Sequence, residues 1–222
     1  MQTPMTPRIA IAAASLVLGA AGCGGTSGSP AQASASPGAP LSPAARPEIL
    51  WPAPTDPMDR AVEAGLTPET KEGLAYHAHA HLDVFVDGSP IVVPAGIGIN
   101  VDDPGVRRFD EPDGSVGYGG IELCSQPCIS PLHTHHETGI IHTESLTPEP
   151  YTLGQFFIEW GVPLSRSCVG AYCSPTPIAM YVDGEPHSGD RGAIELTDRT
   201  EIAIVIGIPP SQIPSTADFS KD

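Results

Sequence analysis

The sequence predicts an α+β domain of mainly antiparallel β-hairpins with one or two short amphipathic helices. Three observations predict it. Residues 76–86 (YHAHAHLDVFV) alternate with period two, as a half-buried strand does. Two runs of the same kind, Phe85-Val86-Asp87-Gly88-Ser89-Pro90 and Tyr181-Val182-Asp183-Gly184-Glu185-Pro186, carry Asp-Gly turns between apolar flanks. Residues 152–160 (TLGQFFIEW) place Leu153, Phe156, Phe157 and Trp160 on one helical stripe.

The elements follow in order. Asp56 as N-cap, Pro57 at the first helical position and Gly65 as the stop predict a helix over 57–64, then a turn at Thr67-Pro68. The strand 76–86 turns at Asp87-Gly88 into 90–93. Residues 100–120 are rich in Gly, Asp and Pro and read as a long loop, with a short strand at 121–123. Residues 139–144 (GIIHTE) form another strand. Thr152 caps the amphipathic helix and Gly161 ends it. A second hairpin runs from 179–182 through Asp183-Gly184 and returns over 193–196. Residues 201–206 close the fold, with Ile202, Ile204 and Ile206 on one side. The chain of 222 residues thus holds one domain over about 57–210, with a C-terminal tail over 211–222. Hydrophobic residues are 40% and aromatics only 5%, so aliphatic side chains must build the core.

The N-terminal part reads differently. Arg8 precedes the apolar run 9–21, which is too short to span a bilayer and suits a signal peptide over 1–22. It ends in Ala20-Ala21-Gly22-Cys23, which resembles a bacterial lipobox with Cys23 as the lipidated residue; Ala20 stands where Leu is more usual. From 24 to 47, 20 of 24 residues are Gly, Ser, Pro or Ala. Such a segment buries too little apolar surface to order itself. The expected arrangement is a lipidated Cys23 and a flexible tether over 23–56, reaching about 25–30 Å, with the domain held outside the cytoplasm on a bacterial membrane.

Acids outnumber bases by 26 to 10, a net charge of −16. That excludes phosphate-driven nucleic-acid binding and charge attraction to anionic lipid, leaving the lipid anchor as the membrane contact. Four cysteines remain beside Cys23: Cys124, Cys128, Cys168 and Cys173. An even number in an exported chain implies two disulfides, with three pairings open. Neighbour pairing, Cys124 with Cys128 and Cys168 with Cys173, is the preferred one. A four-cysteine zinc site is the rival, but its spacings are loose.

Seven of eight histidines fall in two clusters. His77, His79, His81 and Asp83 alternate along one strand and share a face. His133 and His135 share a second face, and His142 and Glu144 a third, across a turn near Thr138-Gly139. Imidazoles that converge on one point are metal ligands, and H-x-H on a strand delivers two from the same side. Glu144 or Asp83 could add a fourth ligand or hold a histidine tautomer. His136 points away from this face, and His187 lies in a polar turn. The metal set is therefore His77, His79, His81, His133, His135, His142 and Glu144. With imidazole and carboxylate donors and no nearby methionine, the candidate ions are zinc or copper, zinc first.

Three motifs taken together, H-A-H-A-H-L-x-V-F-V-D-G at 76–88, C-I-S-P-L-H-T-H-x-x-x-G-I-I-H-x-E-S at 128–145 and T-L-G-Q-F-F-x-x-W-G at 152–161, resemble a poorly characterised family of exported or membrane-anchored bacterial and archaeal proteins. The resemblance covers residues 60–210 and implies that His77, His79, His81, His133, His135 and His142 belong to a shared pattern. It implies no metal, substrate or reaction. Three functions fit the residues: a lipoprotein that captures, buffers or delivers a transition metal; a histidine-ligated hydrolase, lyase or copper oxidoreductase; or a surface interaction module with an unknown protein partner. The first is favoured. No H-E-x-x-H or similar catalytic signature appears, which weighs against an enzyme.

Overall fold

A computed structural model describes residues 48–221 except 74, 123 and 147. The signal peptide, Cys23 and the tether up to residue 47 lie outside the described residues. The described elements are helix α1 (Pro57–Glu63), strands β1 (Tyr76–Val86), β2 (Ser89–Ile91), β3 (Arg107–Asp110), β4 (Val116–Gly119), β5 (Leu132–His133) and β6 (Ile140–Ser145), helix α2 (Leu153–Trp160), and strands β7 (Cys168–Val169), β8 (Tyr172–Cys173), β9 (Ile178–Val182), β10 (Glu185–Pro186) and β11 (Glu201–Ile206). The fold class is α+β.

Seven strands form the main sheet in the order β10-β9-β11-β1-β6-β5, with β2 also on β1. Pairing is antiparallel except for β1 with β11, which run parallel over His81–Val86 and Glu201–Ile206. β1 changes partners along its length. Its first half pairs with β6, and its second half pairs with β11 and β2. All six residues of β11 are buried, because strands flank it on both edges.

The apolar face of β1 (Ala80, Leu82, Val84) joins Leu132, Ile141, Ile202, Ile204 and Ile206 under the stripe Leu153, Phe156, Phe157 and Trp160 of α2. The local chemistry of α2 is as expected. Gln155 N–H donates to the Thr152 hydroxyl while Thr152 N–H donates to the Gln155 side chain, a capping box. Gly161, at φ 75°, closes the helix with 6→1-type bonding from Val162 N–H to the Phe157 carbonyl.

Several expectations differ from the structure. Asp56 makes no side-chain cap; its carboxylate turns to Arg60, 3.5 Å away. Residues 48–56 are not loose. Glu48 bridges to Ile91, and Trp51 packs edge-on at 5.7 Å from Trp160, whose indole N–H donates to the Trp51 carbonyl. The expected loop 100–120 contains the hairpin β3–β4, and Ile121 and Glu122 are not strand. The residues of β3 are all exposed, so no apolar alternation marks it. The strand returning from β9 is β10, two residues long. Instead the Ile194 carbonyl accepts from Leu153 N–H, and Glu195 bridges Thr152 at the start of α2. The two Asp-Gly hairpins do correspond: Asp87 and Asp183 both sit at positive φ (47° and 52°), and each carboxylate accepts a backbone N–H, from Ile208 and Glu201 respectively.

Candidate metal centre

The register of the sheet brings the two histidine clusters together. β1 lies antiparallel to β6 so that His77 faces Glu144 and His79 faces His142. β5 pairs with the other edge of β6 and sets His133 opposite His142. Three adjacent strands therefore place His79, His142 and His133 in one row. His142 is the centre of an array of rings: His79 and His135 meet it edge-on at 4.5 Å each, and His133 and His77 stack on it at 5.1 and 5.6 Å.

His133, His135, His142 and Glu144 form one group whose ligand atoms lie within 4.8 Å of one another. His133 is fully buried and donates from Nδ1 to the Ser130 carbonyl at 2.9 Å. His135 donates from Nδ1 to the Tyr118 carbonyl at 2.6 Å. These acceptors fix which nitrogen carries the proton and aim the other at the site. The two Nε2 atoms then stand 3.1 Å apart. Two bare lone pairs at that distance repel, so a positive centre belongs between them, a proton or a metal ion. Two nitrogens bound to one tetrahedral zinc at about 2.0–2.1 Å are about 3.3 Å apart. A metal ion would also engage His142 and Glu144, whose ligand atoms belong to the same group. Glu144 is 5% exposed, its Oε1 lies 3.1 Å from His77 Nε2 and 3.3 Å from His142 Nδ1, and its buried Oε2 has no hydrogen-bond partner among the described residues. These residues fit a cation.

Electrostatics point the same way. Burial, then the neighbouring rings of His135 and His142, hold the His133 pKa well below its ordinary value, against a small opposite pull from the Ser130 carbonyl. Its imidazole is thus neutral and ready to ligate.

A second group, His77, His79 and His142, shares His142 with the first. His81 stands apart. Its Nε2–H donates to the Thr138 carbonyl at 2.8 Å, and its Nδ1 faces Glu201 at 2.9 Å and Asp83 at 3.8 Å. Burial lowers the His81 pKa, but the Glu201 carboxylate outweighs it, helped by Asp83 and Thr138, and the net shift is upward. Glu201 is raised too, because its own burial outweighs the attraction of His81. His81, Asp83 and Glu201 form a third group whose ligand atoms lie within 4.8 Å of one another, separate from the His142 array, and the raised His81 pKa favours pairing of its ring with these carboxylates.

The remaining predicted residues are placed as follows. Cys124–Cys128 and Cys168–Cys173 are bonded as neighbour pairs. The first braces the site: Cys124 and Cys128 N–H groups bind the carbonyls of Thr70 and Glu69, in the segment that carries Glu72. His136 lies 3.8 Å from Glu111 with its ring 6.5 Å from that of His135, and neither it nor His187 belongs to any of the ligand groups. Nothing in the sequence pattern marked Glu72, whose Oε1 is 3.8 Å from His135 Nε2 and whose pKa is raised by burial and then by Glu144. Glu159, on α2, is fully buried, and burial holds its pKa well above the ordinary value despite the Ser130 hydroxyl beside it. Glu201 left one trace, an acid opening the otherwise apolar run EIAIVI. The β3–β4 hairpin, read as loop, supplies the Tyr118 carbonyl that orients His135.

Comparison with protein-family models, with curated proteins and with solved structures finds no match for this chain.

Proposed function

We propose that this protein binds a divalent transition metal at His133, His135, His142 and Glu144, for capture, buffering or delivery at the outer face of a bacterial membrane. The facing Nε2 atoms of His133 and His135, 3.1 Å apart with both Nδ1 protons already committed, carry this reading. Three imidazoles and a carboxylate favour zinc, with copper second. Support for an exported, lipid-anchored chain comes from the apolar run ending at Cys23 and from two disulfides, which persist outside the cytoplasm. No helix among the described residues is long and apolar enough to cross a membrane. The resemblance of the histidine motifs to those of exported bacterial and archaeal proteins supports this placement.

The test is metal content by plasma mass spectrometry, on protein made in an oxidising compartment and never exposed to a nickel column. At least one equivalent of zinc or copper is expected, and none after incubation with both ions refutes the reading. Incorporation of labelled palmitate, lost in Cys23→Ser, tests the anchor.

One observation favours a second reading, a metal-activated water. A cavity of about 10 Å³, room for one water, is lined by Glu72, Ser130, His133 and Glu144. A zinc-bound water there would ionise near neutral pH with Glu72 as base. Hydrolysis of activated esters or phosphates, lost in Glu72→Gln with metal content unchanged, would select it.

A further inference from the structure

The geometry points to a second ion position, formed by His77, His79 and the shared His142–Glu144 pair, which makes the centre a two-ion site with a buried and an exposed half. This rests on reading the histidine array as a metal centre and concerns how many ions it takes and which residues admit them.

The donors exceed what one ion uses. Five imidazoles and one carboxylate converge, and a tetrahedral ion takes four ligands. The inner set uses His133, His135, His142 and Glu144, leaving His77 and His79. These two are placed as a pair. Their rings meet edge-on at 4.5 Å, both contact His142, and the ligand atoms of His77, His79 and His142 lie within 4.8 Å of one another. Strand register puts them there: the same β1–β6 pairing that sets His79 against His142 sets His77 against Glu144.

Glu144 stands at the junction. Its Oε1 contacts His77 of the outer set and His142 of both, while Oε2 is buried without a hydrogen-bond partner among the described residues. A carboxylate has two oxygens and can give one to each of two cations. Glu144 can be shared as it stands, whereas His142 can be shared only as an imidazolate, its ring N–H proton released to solvent on binding; in either case the two ions are separated by a single ligand.

The halves differ in access. The His77 side chain is 40% exposed, whereas His133 is fully buried. The outer position has fewer enclosing groups and opens to solvent, so its ion exchanges faster. An ion arriving from solution meets His77 and His79 first and can pass to the inner set through the shared ligands, which suits capture and hand-over.

The experiment is titration of metal-free full-length protein with zinc and, separately, with Cu(II), scored by bound equivalents, by electron paramagnetic resonance and by the time course of withdrawal with a chelator. Two equivalents are expected. Copper withdrawal should show a fast and a slow phase, and the second Cu(II) should reduce rather than double the resonance intensity, because neighbouring ions couple. His77→Ala, a partly exposed change that should not disturb folding, and His77→Ala/His79→Ala should each lose one equivalent and the fast phase. One equivalent in the wild type, with neither variant altering it, overturns the second position and leaves the proposed function standing. Two uncoupled equivalents that both survive His77→Ala/His79→Ala overturn the placement. No bound ion in any form overturns both.

Discussion

His77 and His81 lie on the same face of the same strand, yet β1 delivers them to different chemistries. At the His77 end the partner is β6, which brings His142 and Glu144 and, through β5, His133. At the His81 end the partner is β11, whose first residue is the buried Glu201. One end gathers imidazole rings around a buried carboxylate; the other sets a single ring between the Thr138 carbonyl and the Glu201 and Asp83 carboxylates. H-x-H-x-H spacing determines a common face, while the strand across the gap decides whether a histidine meets other imidazoles or faces carboxylates.

The largest expected effect is at the ion-pair end. His81→Ala leaves Glu201 buried without its partner, and breaking such pairs costs about 3 kcal/mol. Urea unfolding should show that loss while metal content stays unchanged. Loss of metal in His81→Ala that still folds would erase the distinction between the ends. At the other end, His133→Ala/His135→Ala should lower bound metal by at least one equivalent, with His187→Ala as the unaffected control. Zinc at 100 times its Kd stabilises the wild type by about 2.7 kcal/mol, and the double variant should lose that gain in a thermal-shift measurement.

Acidity should separate the ends by sign. His133 has a depressed folded pKa, so in metal-free protein the unfolded state takes up a proton first, and stability falls as pH drops below 6.5. His81 has a raised folded pKa, so its contribution is complete below 6.5 and disappears as pH rises through the folded value. The gap between wild type and His81→Gln should therefore close with rising pH, and that between wild type and His133→Gln should close with falling pH. Urea midpoints between pH 5 and 8 in chelator-treated buffer test both. The smallest effect concerns neither end. Glu159 is raised well above 4.5, so it costs stability as pH rises above 4.5, and Glu159→Gln should flatten that decline without changing metal content.

Much of the scaffold was legible because its signals are local. The period-two run marked β1 to the residue, and Thr152, Gln155 and Gly161 marked α2. The β3–β4 hairpin escaped because β3 is wholly exposed and is set by the turn at Asp113-Gly114, where Gly114 has φ 83°, not by apolar alternation. Gly98 shows another long-range demand. At φ 69° its missing side chain leaves room for the Leu132 carbonyl on β5, a crossing that nothing near residue 98 in the sequence announces.

The sequence by itself determined which histidines of β1 share a face, the bounds of β1 and the caps of α2, and which cysteines are near enough to pair. These follow from backbone periodicity, caps and turns, which act over a few residues. Only the tertiary structure decided that clusters some 50 residues apart in sequence meet on β1, β6 and β5, that His81 leaves them for Glu201, and that the carbonyls of Ser130 and Tyr118 turn two Nε2 atoms toward each other. Strand register and buried hydrogen bonding set those outcomes, and both depend on residues distant in the chain.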